Sequence, residues 1–336
     1  MRKKVVTIQD VAQSAGVSVA TVSRVLNNSP RVKERTRVKV QEAIRQLKYQ
    51  PNLLGRDLRR DRTKRIMILL SSLDYPMLKE VYKGVEESAR NYEYSTIICS
   101  TSGSKNKEEQ LLQLLKNRFV DGVITFGTTL TAQELRQLNR DYPIVQCLEW
   151  MGNTGTPYVS VDNEKGARDA VTYLVKLGHR RIAMISRNEG QTALLREQGY
   201  GLALQEAGIS YDANLIKYGD FSYESGVRLT KELLEENTSR PTAVFCINDT
   251  MAVGCANAAR NLGYSVPEDL AIVGFDDTME ALMSAPPLTT MRQPKYELGH
   301  MAMEILMRKI NGKEPETNAV LLPAQLVIRN STVVKR

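Results

Sequence analysis

The sequence predicts a small all-α head, a three-helix helix-turn-helix domain with a hinge helix behind it, joined to a larger α/β core of two lobes built on parallel sheets. Three observations carry this. Residues 8–27, IQDVAQSAGVSVATVSRVLN, set Ala12, Gly16 and Val22 at helix-turn-helix spacing. Positive charge is concentrated at the front: residues 1–65 hold 17 Lys and Arg against 5 Asp and Glu, while the rest holds 29 basic and 33 acidic residues. From Arg65 onward, short apolar runs alternate with amphipathic stretches of helical length.

In the head, a small residue at Ala12 allows two helices to approach, Gly16 takes the sharp turn and Val22 locks the second helix onto the first. Val11, Ala15, Val17 and Val25 extend that seam, and Thr7 and Ser18 stand where N-caps belong. The second helix is left with Val19, Ala20, Thr21, Ser23 and Arg24 on its outer face, short side chains suited to the major groove. An ordinary buried helical hairpin would have no use for the surrounding charge, which is the footprint of nucleic-acid binding. Residues 34–48 repeat apolar positions at Val38, Val40, Ala43, Ile44 and Leu47, a third helix that Pro51 ends. Residues 53–65, LLGRDLRRDRTKR, are very basic with three leucines and cannot bury themselves alone. They read as a linker that becomes helical on DNA.

The core follows. RIMILLSS, YSTIICS, DGVITFG, PIVQCLE, YVSVD, RIAMIS, LIKYGD, AVFCIN and LAIVGFDD have strand length, and helical stretches such as 78–91, 107–117, 163–177, 222–236 and 249–262 lie between them. Such alternation means parallel sheets covered on both faces, and this many strands means two lobes. Ligands in these folds bind at the carboxyl ends of strands, which singles out Ser71, Ser72, Glu149, Asp162, Asn248, Asp249, Asp276 and Asp277. The four cysteines are scattered and the two histidines, His179 and His300, have no ligand partners near them, so neither a metal, a cofactor nor a disulfide is expected. Neither a signal peptide nor an apolar run of membrane-spanning length is visible, which points to the cytoplasm and away from a solute-binding protein of transport. A catalytic role is not expected: no G-x-S-x-G elbow, P-loop or G-x-G-x-x-G follows a strand.

The motifs TIQDVAQSAGVSVATVSRVLN, TRVKVQEAIRQLKYQPN, AVFCINDTMAVG and GFDDTMEALMSAPPLTTMRQP resemble those of the lac repressor (LacI/GalR) family of bacterial transcription regulators, over essentially the whole chain. Gly55-Arg56, Glu149, PYVSVDN, GDFSYESG and QPKYELGHMAMEIL are similar to the family's cytidine-repressor type. The resemblance implies a DNA-binding head (1–50), a hinge (51–64) and a periplasmic-binding-protein-like core (65–336), with a first lobe at about 65–161 and 291–320 and a second at about 162–290 and 321–336. It also implies a homodimer on pseudo-palindromic double-stranded operator DNA, controlled by a small sugar or nucleoside between the lobes. Modulation by a phosphocarrier protein, as in the catabolite-control branch, is the alternative.

By the same resemblance, Val19, Ala20 and Arg24 read bases, while Ser23, Asn27 and Arg31 touch the backbone or flanking bases. Thr7, Ile8, Thr21, Asn52 and Arg56 join the DNA-binding set, and Leu58 wedges into the minor groove. The effector set is Ser72, Tyr75, Glu149, Asp162, Arg196, Phe221, Asn248 and Asp276. A carboxylate, an amide, a guanidinium and an aromatic face suit a polyol or ribose. Each has a plainer reading: Asp276 and Asp277 as caps, Phe221 as core, Arg196 as a surface ion-pair partner, Glu149 as a carboxylate paired with a nearby base. Lys33 stands where the family has a capping serine, Gly55 disfavours the hinge helix, and Met77-Leu78 replaces the aromatics of purine-binding relatives. The terminal IRNSTVVKR carries no leucine heptad, so a dimer rather than a tetramer is the expected assembly.

Overall fold

Thr7 opens helix α1 (Ile8–Ala15) in the computed structural model, which describes residues 6–26, 29–49, 62–74, 76–235 and 240–333. Its hydroxyl accepts from the Asp10 N–H while the Asp10 carboxylate accepts from the Thr7 N–H, a reciprocal cap. Gly16, at φ +63°, ends the helix in the left-handed conformation that lacks a Cβ penalty. Helix α2 (Val19–Leu26) starts at Ser18, whose hydroxyl accepts from the Thr21 N–H at 3.2 Å. Helix α3 (Glu34–Gln46) begins at Lys33 without a side-chain cap. Val11, Ala12, Val22, Val25, Val40, Ala43 and Tyr49 close a miniature core over the three helices. Val38, assigned to that face from sequence, is instead 46% exposed, because it lies about 200° around the helix from Val40. The expected hinge helix, with Gly55, lies outside the described residues.

The chain divides into two compact units, 1–63 and 64–336. In the second, β1 (Arg65–Leu70), α4 (Leu78–Asn91), β2 (Ser95–Ser100), α5 (Lys105–Lys116), β3 (Gly122–Phe126), α6 (Ala132–Asp141), β4 (Ile144–Cys147) and β5 (Tyr158–Val161) build the first lobe. Then α7 (Asn163–Lys176), β6 (Ile182–Arg187), α8 (Gln191–Glu206), β7 (Ile216–Gly219), α9 (Tyr223–Glu235), β8 (Ala243–Cys246), α10 (Asp249–Asn261), β9 (Ala271–Asp276), α11 (Met279–Met283) and β10 (Thr289–Arg292) build the second. Helix α12 (Lys295–Ile310) and β11 (Ala319–Leu322) return to the first lobe, and β12 (Gln325–Val327) to the second.

The sheets run β11-β5-β4-β3-β1-β2 and β12-β10-β9-β8-β6-β7, parallel except where β12 pairs antiparallel with β10. All nine strands expected from the apolar runs form, joined by β10, β11 and β12. The late crossings between lobes fall after Arg292 and between Leu322 and Gln325, two to a few residues beyond the points read from sequence. Alternation explains the layers. Ile182 and Met184 of β6 face one core, Ala183 and Ile185 the other, so the strand is buried on both sides. The largest core runs on from α4 and α12 in the first lobe to α7 and α8 in the second.

Candidate functional site

On the head, α2 leaves Val19, Ala20 and Arg24 exposed, with Thr21 and Ser23 half-buried beside them. The Thr21 hydroxyl lies 2.9 Å from that of Ser18, so it shares in the cap. Arg31 is exposed; Ile8 is half-buried against the head's core, and the Thr7 hydroxyl is engaged in its own cap. Asn27, Asn52, Arg56, Leu58 and, in the core, Tyr75 lie outside the described residues.

The second lobe brings four of the expected effector residues together at the carboxyl ends of its strands. Asn248 caps α10 by accepting from the Met251 N–H at 2.9 Å, and its amide donates to the Phe221 carbonyl at 3.1 Å. That bond holds Phe221 at φ +72°, a conformation rare outside glycine. Arg196 projects from α8, donates to the Asn163 amide oxygen at 2.8 Å and to the Ile247 carbonyl, and stacks 3.6 Å from the Phe275 ring centre. It is 6% exposed, so it is no surface ion-pair partner. Its guanidinium reaches the Asp276 carboxylate at 3.9 Å, and Gln293 donates to that carboxylate at 2.6 Å. Burial pushes the Asp276 carboxyl up to about 6, with Arg196 and Gln293 pulling the other way.

Asp277 behaves differently from its neighbour. Burial raises its carboxyl, but bonds from Arg292 at 2.6 Å and Arg329 at 2.5 Å outweigh that and hold it below the usual carboxylate range. It ties β9 to β10 and to the last described segment; the cap that the plainer reading gave it belongs to Thr278, whose hydroxyl accepts from the Ala281 N–H at the start of α11.

Three other expected residues bond partners outside this group. Ser72 is exposed and its hydroxyl exchanges bonds with Asp74. Asp162 caps α7 through the Lys165 N–H at 3.0 Å. Glu149, beyond β4 of the first lobe, crosses to the second: its carboxylate accepts from the Gln191 N–H and the Thr192 hydroxyl, each at 2.5 Å. Helix α8 begins at Gly190 with no side-chain cap of its own, so Glu149 supplies one from the other lobe. Its partners are backbone and hydroxyl donors, not the base suggested by sequence.

Sequence reasoning passed over Asn163, Gln293 and Arg187. Asn163 and Gln293 lay inside quoted motifs, one residue after Asp162 and at the end of TTMRQ, and only the fold shows that both reach the Arg196–Asp276 pair. Arg187 ends β6, where the rule about strand ends already pointed. Among the described residues, no group of three or more His, Cys, Asp and Glu could hold a metal ion, and no helix is long and apolar enough to cross a membrane.

A helix-turn-helix head on a two-lobed α/β core with polar groups gathered at its strand ends defines a DNA-binding regulator with a ligand-binding core. The chain belongs to the lacI family of bacterial regulatory proteins. The family described as "Bacterial regulatory proteins, lacI family" matches residues 7–52, and the periplasmic binding protein-like domain matches residues 171–332. Catabolite control protein A of Priestia megaterium is 36% identical over 330 residues, 97% of this chain and 99% of its own. The HTH-type transcriptional repressor CytR of Escherichia coli (strain K12) is 36% identical over 328 residues, 97% of this chain and 96% of its own. The lac repressor dimer bound to operator and the anti-inducer ONPF superposes with a TM-score of 0.88 at 30% identity, covering 98% of this chain and 100% of that one.

Proposed function

We propose that this chain is a cytoplasmic, homodimeric repressor, without enzymatic activity, whose affinity for a pseudo-palindromic operator is set by a small sugar or nucleoside held between the lobes. Val19, Ala20 and Arg24 read the operator. Asp276 and Asn248 accept and donate to ligand hydroxyls, Arg196 supplies fixed donors, and Phe221 covers the ring. The observation that carries this reading is the Arg196–Asp276 pair, buried at the strand ends beside Asn248 and Phe221 in a chain of this family. A buried carboxylate with one oxygen committed to Gln293 and a guanidinium at 3.9 Å retains acceptor capacity for a ligand hydroxyl.

The test is calorimetric titration of the full chain with pentoses, hexoses and nucleosides, alongside Asp276→Asn and Asp276→Ala. Losing the acceptor of a buried ligand hydroxyl costs about 1–3 kcal/mol, or one to two decades of affinity. DNA binding without ligand is expected to change little, since the head carries its own core. If both variants melt lower yet bind the ligand normally, Asp276 is a structural residue and leaves the site.

A further inference from the structure

In the spatial order β9, β8, β6, β7, the second sheet runs out into Asp276, Asn248, Arg187 and Phe221. Three of these have a part in the site proposed above. Arg187 stands in the middle of the row and has none. It closes β6 in register with Gly219 of β7, is half-buried, and places its guanidinium carbon 4.9 Å from the centre of the Phe221 ring. The Phe221 backbone is held by the bond from the Asn248 amide to its carbonyl.

The charges of the two arginines are balanced differently. Arg196 faces Asp276 at 3.9 Å. Among the described residues, Arg187 has no carboxylate at ion-pair distance, and its guanidinium rests on the Phe221 ring. The acids that flank it in the chain, that follow its register partner Gly219, or that bond the start of α8 are otherwise engaged or exposed. Asp220 accepts from the Ser222 N–H at 3.0 Å and hydroxyl at 2.5 Å, Glu149 caps α8, and Glu189 is exposed. A guanidinium stacked on an aromatic ring keeps its planar fork of N–H donors available, and that fork matches the oxygens of a phosphate or carboxylate. A half-desolvated cation lacking a counter-charge at the rim of a polyol site is built to receive one from the ligand.

We propose that Arg187 binds an anionic group of the effector, so that the ligand is a sugar or nucleoside bearing one phosphate or carboxylate. This rests on the effector site proposed above. Hydroxyl recognition stays with Arg196, Asn248 and Asp276, and Arg187 favours the charged ligand over its neutral counterpart.

The experiment titrates the full chain with matched pairs: ribose and ribose 5-phosphate, glucose and glucose 6-phosphate, glucose and glucuronate, cytidine and cytidine 5′-monophosphate. Inorganic phosphate is the control for charge alone. At least one anionic member is expected to bind about tenfold or more tightly than its neutral partner, a preference that falls with added salt. Arg187→Gln is expected to erase most of that ratio, by about ten- to a hundredfold as for a lost charge-assisted hydrogen bond, and Arg187→Lys to keep part of it. Phosphate and carboxylate pairs read separately tell which group is taken. Equal binding of neutral and anionic members, an unchanged ratio in Arg187→Gln, or no binding by any anionic member overturns the inference. Neutral sugars that bind and are lost in Asp276→Asn leave the effector site standing while Arg187 falls. No binding by any member of the panel removes both.

Discussion

Asp249 is wholly buried at the start of α10, and among the described residues its carboxylate accepts from neutral donors. Thr290 donates to one oxygen at 2.5 Å and the Thr278 N–H to the other at 2.7 Å. Burial, then the neighbouring Asp276 charge, push its carboxyl up to about 8. A carboxyl raised on folding stays protonated in the native state while the unfolded chain has released its proton. Stability is therefore greatest below the unfolded value of about 4 and is lost as pH rises through the folded value. Chemical unfolding of the core is expected to show a falling free energy between about pH 4 and pH 8. Asp249→Asn, which keeps the shape and cannot ionise, should flatten that slope; a slope identical in the variant would show that the carboxyl titrates normally. The sequence placed Asp249 at a strand end but could not separate it from Asp276. The difference is position: Asp276 meets a guanidinium, whereas Asp249 points back under β9. A Cβ built on Gly274 would stand 2.2 Å from the Asp249 carboxylate oxygen, so a larger residue at that strand position would have to displace the carboxylate.

At the scale of elements, the first lobe depends on the crossing of α4 and α12. A Cβ on Gly299 would meet the Val81 carbonyl oxygen at 1.9 Å, and one on Gly84 the Tyr296 carbonyl oxygen at 2.0 Å. Each glycine faces the other helix's backbone, so the two helices touch through main chain and neither can yield without moving the whole element. Gly299→Ala should cost about 1–3 kcal/mol, the range for overpacking a close-packed interior, despite alanine's better helix propensity. Thermal unfolding checks this, and a melting temperature equal to or above the parent's would mean the crossing is slack. Helices such as α4 were legible because one face is apolar and the other wet. Helix α8 lacks a single apolar stripe: it packs on α7 and on the sheet at once and carries the buried Arg196. The strands that sequence left out, β10, β11 and β12, have three or four residues each, and β11 finds its partner, β5, in a distant part of the chain. The equally short β8 was legible because all four of its residues are apolar and buried, whereas TTMR of β10 holds one apolar residue and β11 and β12 lie partly in solvent. Periodicity could not show that Glu149 completes a helix of the opposite lobe, since that contact exists only once both lobes are assembled.

At the scale of the whole molecule, charge and packing divide the chain at the same place. The basic excess ends at about residue 65, and the compact units meet between residues 63 and 64. Each unit has its own apolar clusters, seven buried residues in the head and three larger sets in the core. This separation predicts that the two activities can be cut apart. Deleting residues 1–60 should leave a core that still unfolds cooperatively and still binds the effector class proposed here, because none of the strand-end residues lies in the deleted segment. The same deletion should abolish binding to DNA sequences that the full chain selects from a random pool. Full-chain affinity for those sequences should fall by orders of magnitude as salt is raised, since neutralising many phosphates releases counterions. The selected sequences should also contain two matching half-sites, because a two-fold dimer presents two copies of α2. Mobility-shift assays on the selected pool test all three expectations. A truncated core that held the pool as tightly as the full chain would move DNA recognition out of the head, and selected sites without a repeated half-site would count against a dimer reading them.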